Sequence, residues 1–257
     1  MAVSENGARL WHALAMGPLW RERGAVPDGA APCVPQAPAG PPEAAAGPAQ
    51  GANDVGSMDW DRLEAVTAAC TACPLSQSRT QAVFAAGSRA AQWMFIGEAP
   101  GAEEDARGEP FVGQAGRLLD NMLGAAGLGR DRAGAGAVFI ANVLKCRPPA
   151  NRNPEPSEVA ACAPFLRRQI ELLAPRIIVV MGRFAAQSLL ATDASIASLR
   201  GRVHTTQSGG RRIPVVVTYH PAYLLRNLAD KARSWEDLCL ARETFEALGQ
   251  GADASAG

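Results

Sequence analysis

The chain has 257 residues, 47% of them hydrophobic, and its 25 Lys and Arg balance its 25 Asp and Glu. That length suits one domain with a sizeable core, or two small ones. The sequence shows no apolar run that could span a bilayer and no secretory signal, and its six cysteines therefore favour metal ligation or free thiols over disulfides. These features argue against a membrane or secreted protein, and we expect a cytoplasmic one.

The positive charge is concentrated in one segment. Between Lys145 and Arg233, 14 Lys and Arg stand against 5 Asp and Glu. Clustered cations attract phosphates, so we expect a nucleic acid to face this segment. A basic, solvated surface without a partner is the alternative.

The N-terminal segment differs in composition from the rest. Residues 1–20 contain spaced Leu and Trp that predict a short amphipathic helix, which could dock on a protein partner. Residues 21–57 are dominated by Ala, Pro and Gly and predict a disordered linker. We expect the folded domain over residues 58–250 and a disordered tail over residues 251–257.

Helical periodicity and apolar runs alternate within the expected domain. The predicted helices cover residues 59–73, 115–126, 157–173 (with Ser157 as N-cap), 184–190 and 231–248, and the predicted strands cover 92–96, 137–142, 176–181 and 213–219. This alternation predicts an α/β fold, a three-layer αβα sandwich around a short, mostly parallel four-stranded sheet. Ligands bind such sheets beyond the carboxyl ends of the strands, where residues 97–101, Asn142 and His220 fall.

The side chains at these strand ends suit chemistry on a nucleobase. Glu98, within Gly-Glu-Ala-Pro-Gly, could orient a water, and His220 could donate a hydrogen bond to a developing oxyanion. Asn142 carries a donor beside an acceptor, which matches the polar edge of uracil. Phe111, in a polar loop, could stack on a base. Each of these residues also has a purely structural alternative. Glu98 could lie in a solvated turn, and His220 could be a structural histidine. Asn142 could simply end its strand, and Phe111 could anchor its loop.

Four cysteines have the spacing of a soft-metal site. Cys70 and Cys73 form a Cys-x-x-Cys pair, and Cys146 and Cys162 follow downstream. Four thiolates can hold zinc or an iron–sulfur cluster, and the spacing alone leaves both open.

Three segments, taken together with the cysteines, carry a family resemblance. GEAPGAEEDARGEPFVGQAGRLLDNML, NVLKCRPPANRNPEPSEVAAC and HPAYLLRN, in this order, resemble a family 4 uracil-DNA glycosylase, the iron–sulfur branch of the uracil-DNA glycosylase superfamily. The resemblance implies a [4Fe–4S] cluster on Cys70, Cys73, Cys146 and Cys162. It also implies monofunctional hydrolysis of the N-glycosidic bond of deoxyuridine, through a flipped base and an oxocarbenium-like transition state. The chain would initiate base excision repair as a monomer on single- or double-stranded DNA, in the bacterial cytoplasm at the nucleoid.

The resemblance also implies roles for single residues. Glu98 would position the attacking water, with Glu104 as second choice, and His220 would face uracil O2. Some other branches of the superfamily carry Asp where this chain has Ala99. The implied substrate-binding residues are Gly97, Ala99, Pro100, Gly101, Phe111 and Asn142, and the expected DNA-binding residues are Leu224, Leu225, Arg226, Lys145 and Arg147.

Two other interpretations stay open at this point. The chain could be a non-catalytic DNA-binding protein on the same fold, which a uracil-release assay would reveal. It could also be a zinc protein with an all-thiolate site, which metal analysis would reveal. The sequence KCRPPANRN contains no histidine, which disfavours the related branch that links covalently to DNA through one.

Overall fold

The structure is a computed structural model that describes residues 55–253. The helix predicted within residues 1–20, most of the predicted linker and residues 254–257 of the predicted tail lie outside the described residues. The last three residues of that linker, Val55–Ser57, form a 3-10 turn in which Val55 is buried. Among the described helices, none combines the length and apolar character that a membrane crossing requires.

In the part of the chain that the structure describes, six strands form a single sheet. They are β1 (Ala86–Gly87), β2 (Trp93–Gly97), β3 (Val138–Asn142), β4 (Ile177–Met181), β5 (Val203–Ser208) and β6 (Arg211–Thr218), in the spatial order β1-β3-β2-β4-β6-β5. The four central strands are parallel, and β1 and β5 pair antiparallel at the two edges. The mixed α/β class is therefore confirmed. The strand number is wrong, because the four predicted strands are only the centre of a six-stranded sheet.

The two unpredicted strands lack the apolar run that marks a buried strand. β1 has only two residues, and β5 reads Val-His-Thr-Thr-Gln-Ser, in which exposed and partly buried positions alternate. Gly209 and Gly210 connect β5 to β6 with φ angles of 55° and 73°. A two-residue Gly-Gly turn with positive φ at both positions is typical of a tight hairpin, so this dipeptide was the available signal for β5.

Nine α-helices lie in the described part of the chain. They are α1 (Trp60–Ala68), α2 (Leu75–Ser78), α3 (Ala102–Arg107), α4 (Gln114–Ala125), α5 (Pro156–Leu173), α6 (Arg183–Leu190), α7 (Ile196–Leu199), α8 (Pro221–Leu224) and α9 (Lys231–Asp253). The helix predicted over 59–73 ends at Ala68, and the acidic residues 103–105 form the first turn of α3. Residues 251–253, predicted to belong to a disordered tail, are the end of α9. Ser157 as N-cap is wrong: Glu155 takes that place, Pro156 starts the helix, and the Glu158 carboxylate accepts from the Glu155 N–H at 2.9 Å.

Helices cover both faces of the sheet because successive side chains of each central strand point to opposite sides. Met94 and Ile96 of β2 pack on one side with Leu166 and Ile170 of α5. Phe95, between them, packs on the other side with residues of α4 and α9. This alternation explains why strands such as Ile-Ile-Val-Val-Met are apolar throughout.

The carboxyl ends of the four parallel strands meet at one edge of the sheet. Gly97, the last residue of β2, is in register with Asn142, the last residue of β3. On the other side of β2, Met181 at the end of β4 is in register with Thr218 at the end of β6. The loops that follow these four residues therefore start side by side.

Candidate active site

A cleft of about 860 Å³ opens at this edge of the sheet. Its walls come from the segments that follow β2, β3, β4 and β6. Nine of the residues predicted for the site line it: Glu98, Ala99, Pro100, Gly101, Glu104, Phe111, Asn142, His220 and Arg226. The sheet register thus brings together residues that lie more than a hundred positions apart in the sequence.

Asn142 presents an unsatisfied polar group to the cleft. The residue is 2% exposed, and its side-chain oxygen Oδ1 has no hydrogen-bond partner among the described residues. Buried polar atoms are nearly always hydrogen-bonded, so an orphan of this kind indicates a missing ligand or water. A Cβ atom at Gly97 would clash with that Oδ1 and lie 2.6 Å from Cζ of Phe111. Glycine at position 97 therefore makes room for both side chains.

Phe111 occupies a constrained position beside Asn142. Its φ angle is 57°, in the left-handed region that residues other than glycine rarely adopt. The Arg130 guanidinium holds this conformation, donating to the carbonyl oxygens of Pro110 at 3.1 Å and Phe111 at 3.0 Å. Backbone strain that the surroundings enforce is a frequent feature of functional sites.

His220 lies next to Phe111 as the N-cap of α8. Its ring centroid is 5.4 Å from that of Phe111, and Nδ1 accepts from the backbone N–H of Ala222 at 3.2 Å. Since Nδ1 is an acceptor, the proton of the neutral ring resides on Nε2. Burial, helped by the positive charge of Arg226, lowers the pKa of His220 to about 4. The imidazole is therefore a neutral hydrogen-bond donor at physiological pH.

The two carboxylates predicted for water positioning have different environments. Both oxygens of Glu104 are occupied: Oε2 accepts from the Gly101 N–H at 3.1 Å, and Oε1 accepts from those of Val112 and Gly113 at 3.0 and 3.1 Å. Among the described residues, the Glu98 carboxylate has no hydrogen-bond partner. Burial raises the pKa of Glu98, and Arg183 opposes that rise. Glu104 thus ties two cleft loops together, whereas Glu98 is available to a ligand.

Two of the five predicted DNA-binding residues are buried, which contradicts a DNA contact. Leu224 is 0% exposed and packs inside the fold, while its neighbour Leu225 is 39% exposed. Lys145 is 1% exposed, and its ammonium donates inward, to the Asn142 carbonyl oxygen and to Oε1 of Gln169. Arg226 is exposed at the cleft, and Arg147, partly exposed, donates to Oδ1 of Asn151 at 2.8 Å.

Several cleft residues escaped the sequence reasoning. Tyr219 and Tyr223 stack at 5.0 Å between ring centroids, and Arg183 and Phe184 begin α6. The strand-end rule would have found Arg183, which comes two residues after β4 ends. Tyr223 stands inside the HPAYLLRN segment, three residues after His220, so its position in that motif was its signal.

The four predicted metal ligands surround a second, small cavity. Cys70, Cys73, Cys146 and Cys162 all line it. Arg79 Nη1 donates to Sγ of Cys146 at 2.9 Å, and the Lys145 backbone N–H lies 3.3 Å from Sγ of Cys162. Burial raises the pKa of the Cys146 thiol and raises that of Cys162 to about 11. Thiolates in this cavity therefore need nearby positive charge, which a bound metal centre would supply.

Comparison with known proteins agrees with this architecture. The model of the uracil DNA glycosylase superfamily matches residues 84–240. A type-4 uracil-DNA glycosylase of Archaeoglobus fulgidus is 44% identical over 160 residues, which cover 61% of this chain and 78% of that protein. One from Thermotoga maritima is 44% identical over 165 residues, covering 64% and 82%, and a type-5 uracil-DNA glycosylase of Thermus thermophilus is 33% identical over 147 residues, covering 52% and 66%. The chain therefore belongs to the uracil-DNA glycosylase superfamily and groups with its type-4 members.

Proposed function

We propose that this chain hydrolyses the N-glycosidic bond of deoxyuridine in DNA, releasing uracil and leaving an abasic site that initiates base excision repair. The observation that carries the proposal is the unpaired Oδ1 of Asn142, buried beside Phe111 and His220 in the cleft. The relatives named as uracil-DNA glycosylases support the same activity, since the chain covers more than three quarters of the Archaeoglobus protein.

Asn142 would select the base and Phe111 would hold it. The Asn142 amide offers an acceptor for N3–H of uracil and a donor for O4, and cytosine presents the opposite pattern at both atoms. The Phe111 ring supplies a surface on which a flipped pyrimidine can stack. The backbone of residues 97–101 would border the same base.

His220 would assist the departure of uracil. When the bond between C1′ and N1 breaks, its electron pair moves onto the base, and the negative charge spreads to O2. A neutral imidazole can donate its Nε2–H to that oxygen, and donors aimed at a developing oxyanion are worth about 3–4 kcal/mol. The deoxyribose left behind is an oxocarbenium-like cation.

Glu98 would direct the water that captures this cation. Water adds to C1′ and loses a proton, and the free Glu98 carboxylate is available to accept it. Its raised pKa makes it a stronger base than an ordinary glutamate. The reaction would be monofunctional, because Lys145 and Lys231 are the only lysines and neither lines the cleft to attack C1′ as an amine.

Cys70, Cys73, Cys146 and Cys162 would hold a [4Fe–4S] cluster. They surround one cavity, and N–H groups of Arg79 and Lys145 point at two of the sulfurs, as hydrogen bonds to cluster ligands do. When bound, the cluster would join three distant segments through iron–thiolate bonds and could exchange an electron.

DNA would approach from the side of Leu225, Arg226 and Arg147. These residues are exposed or partly exposed next to the cleft, and they offer an apolar side chain and two cations. A base-extruding enzyme needs a wedge that fills the vacated position and charges that hold the flanking phosphates. Leu224 and Lys145 have no part in this interface because they are buried.

A uracil-release assay tests the proposal. The wild-type protein should release free uracil from an oligonucleotide with a single deoxyuridine and should leave the cytosine counterpart intact. Asn142→Asp should reduce this discrimination, whereas Asn121→Asp, an exposed position on α4, should leave it unchanged. Wild-type protein that binds DNA without releasing uracil would instead be a non-catalytic DNA-binding protein.

Quantification of iron and sulfide, together with visible absorbance, tests the proposed cluster. Stoichiometric zinc in a colourless protein would overturn the assignment of a [4Fe–4S] cluster to the four cysteines.

A further inference from the structure

Lys145 is a buried cation placed between the cysteine cavity and Asn142. Its Nζ donates to the backbone carbonyl oxygen of Asn142 at 2.7 Å and to Oε1 of Gln169 at 2.6 Å. Its own backbone N–H points at Sγ of Cys162, and the residue also lines the cysteine cavity. One residue therefore touches both the base-reading segment and the metal-binding segment.

The charge of Lys145 requires compensation that carboxylates do not provide. Its hydrogen-bond acceptors are neutral, and none of the ion pairs among the described residues includes it. An isolated ammonium is very costly to bury unless negative charge lies nearby. The cysteines of the neighbouring site would supply this negative charge when they hold the proposed cluster as thiolates.

Gln169 holds the far side of this arrangement. Its Oε1 accepts from Lys145, and its Nε2 donates to the carbonyl oxygen of Phe84 at 3.1 Å. Gln169 is 0% exposed on α5, the helix that also carries Cys162. The Lys145 side chain is thus fixed to a rigid element and cannot swing out to solvent.

Asn142 depends on this support because its side chain lacks other polar anchors. Its Oδ1 is unpaired, and it lies in the space that the missing side chain of Gly97 leaves open. Behind it, the Lys145 ammonium fixes the Asn142 carbonyl and so the backbone from which the amide projects. Selection between uracil and cytosine requires that amide to be placed within a fraction of an ångström.

We propose that Lys145 is a positioning residue that couples the four-cysteine site to base selection by Asn142. The ammonium balances the negative charge of the cysteine site on one side and fixes the Asn142 backbone on the other. The inference rests on the proposed function, because it assumes that Asn142 reads uracil.

Binding of an uncleaved probe tests this role independently of turnover. The probes are two oligonucleotides with 2′-fluoro-2′-deoxyuridine or 2′-fluoro-2′-deoxycytidine at one position, since the fluorine suppresses oxocarbenium formation and cleavage. Fluorescence anisotropy gives the ratio of their Kd values. We expect Lys145→Met to reduce the preference for uracil by about tenfold, with iron content retained. Lys231→Met, the other lysine and an exposed one, should change both Kd values equally.

A double-mutant cycle separates positioning from general damage. In an Asn142→Ala background, Lys145→Met should have no further effect on the ratio, because the residue through which it acts is gone. If Lys145→Met fails to fold or to bind iron, Gln169→Leu replaces it, since that change removes one anchor and spares the cysteines. It should lower the preference by about threefold, again only when Asn142 is present.

These measurements distinguish failure of the role proposed for Lys145 from failure of the proposed function. An unchanged ratio in both Lys145→Met and Gln169→Leu overturns the inference, as does an equal loss in the Asn142→Ala background. A wild-type protein that shows no preference for the uracil probe overturns the proposed function as well. Wild-type preference that survives in the variants leaves the proposed function intact and removes only the role of Lys145.

Discussion

The ring of His220 lies 5.4 Å from the ring of Phe111, and the two planes differ by 31°. Arg130 holds Phe111 by donating to its carbonyl oxygen. The first turn of α8 holds His220, because the Ala222 N–H donates to its Nδ1. The stacking residue and the hydrogen-bond donor are therefore preorganised against each other before any base enters the cleft.

Loss of the His220 ring should remove most of the catalysis. We expect His220→Ala to slow single-turnover uracil release by about 100- to 1,000-fold, the usual effect of deleting an oxyanion donor. His204→Ala is the matched control, because His204 lies on edge strand β5 and pairs with the Leu199 carbonyl oxygen. Similar rates for the two variants would contradict the assignment of the donor to His220.

His220 should also give the fold a pH-dependent stability. Its pKa is about 4 in the folded chain against the ordinary 6.5, so between these values the unfolded state binds more protons. The contribution to the free energy of unfolding is present in full above pH 6.5 and is lost as the pH falls towards 4. Thermal unfolding of His220→Gln should consequently change less with pH across this window than that of the wild type. A wild-type-like pH dependence in that variant would count against the shifted pKa.

Gly97 should tolerate no side chain. A methyl group there would collide with Oδ1 of Asn142 and Cζ of Phe111, displacing both from the cleft. We expect Gly97→Ala to lose at least about 100-fold in uracil release, since a 1 Å misplacement can cost that much. Gly124→Ala is the control: its Cβ meets nothing on α4 and should stabilise the helix by about 0.5–1 kcal/mol. Full activity in Gly97→Ala would show that the cleft can relax.

Substitution of Leu224 should affect the stability of the fold, whereas substitution of Leu225 should affect the action on duplex DNA. Leu224→Ala removes a fully buried side chain and should lower the free energy of unfolding by about 2–5 kcal/mol. Leu225→Ala removes an exposed one and should spare stability while slowing uracil release from duplex more than from single-stranded DNA. Urea denaturation with paired assays on both substrates measures this. Equal duplex activity in Leu225→Ala and wild type would exclude Leu225 as the wedge.

The centre of the sheet could be predicted because burial on both faces leaves a continuous apolar run, as in Ile177–Met181. The two edge strands could not be predicted in this way, because an edge strand forms through backbone hydrogen bonds and needs no continuous apolar run. Val203–Ser208 pairs with β6 through six residues although half of them are exposed. The Gly209–Gly210 pair is the remaining local signal of this hairpin in the sequence.

The residues of the site could be predicted where they lie at the carboxyl ends of the parallel strands. Asn142 and His220 follow directly from that rule, and the structure places both on the cleft. Side-chain direction beyond a strand end does not follow from it. Lys145 turns inward after β3. Leu224 ends the four-residue helix α8 and is buried, whereas Leu225, the residue that follows it, is exposed.

The burial of Lys145 has a practical consequence. The chain contains two lysines, and the other, Lys231, is exposed at the start of α9, five residues after Arg226 on the cleft. An amine-reactive fluorophore should therefore mark a single lysine, close to the side from which DNA would arrive. Such a label offers a reporter of substrate engagement that leaves every cysteine untouched.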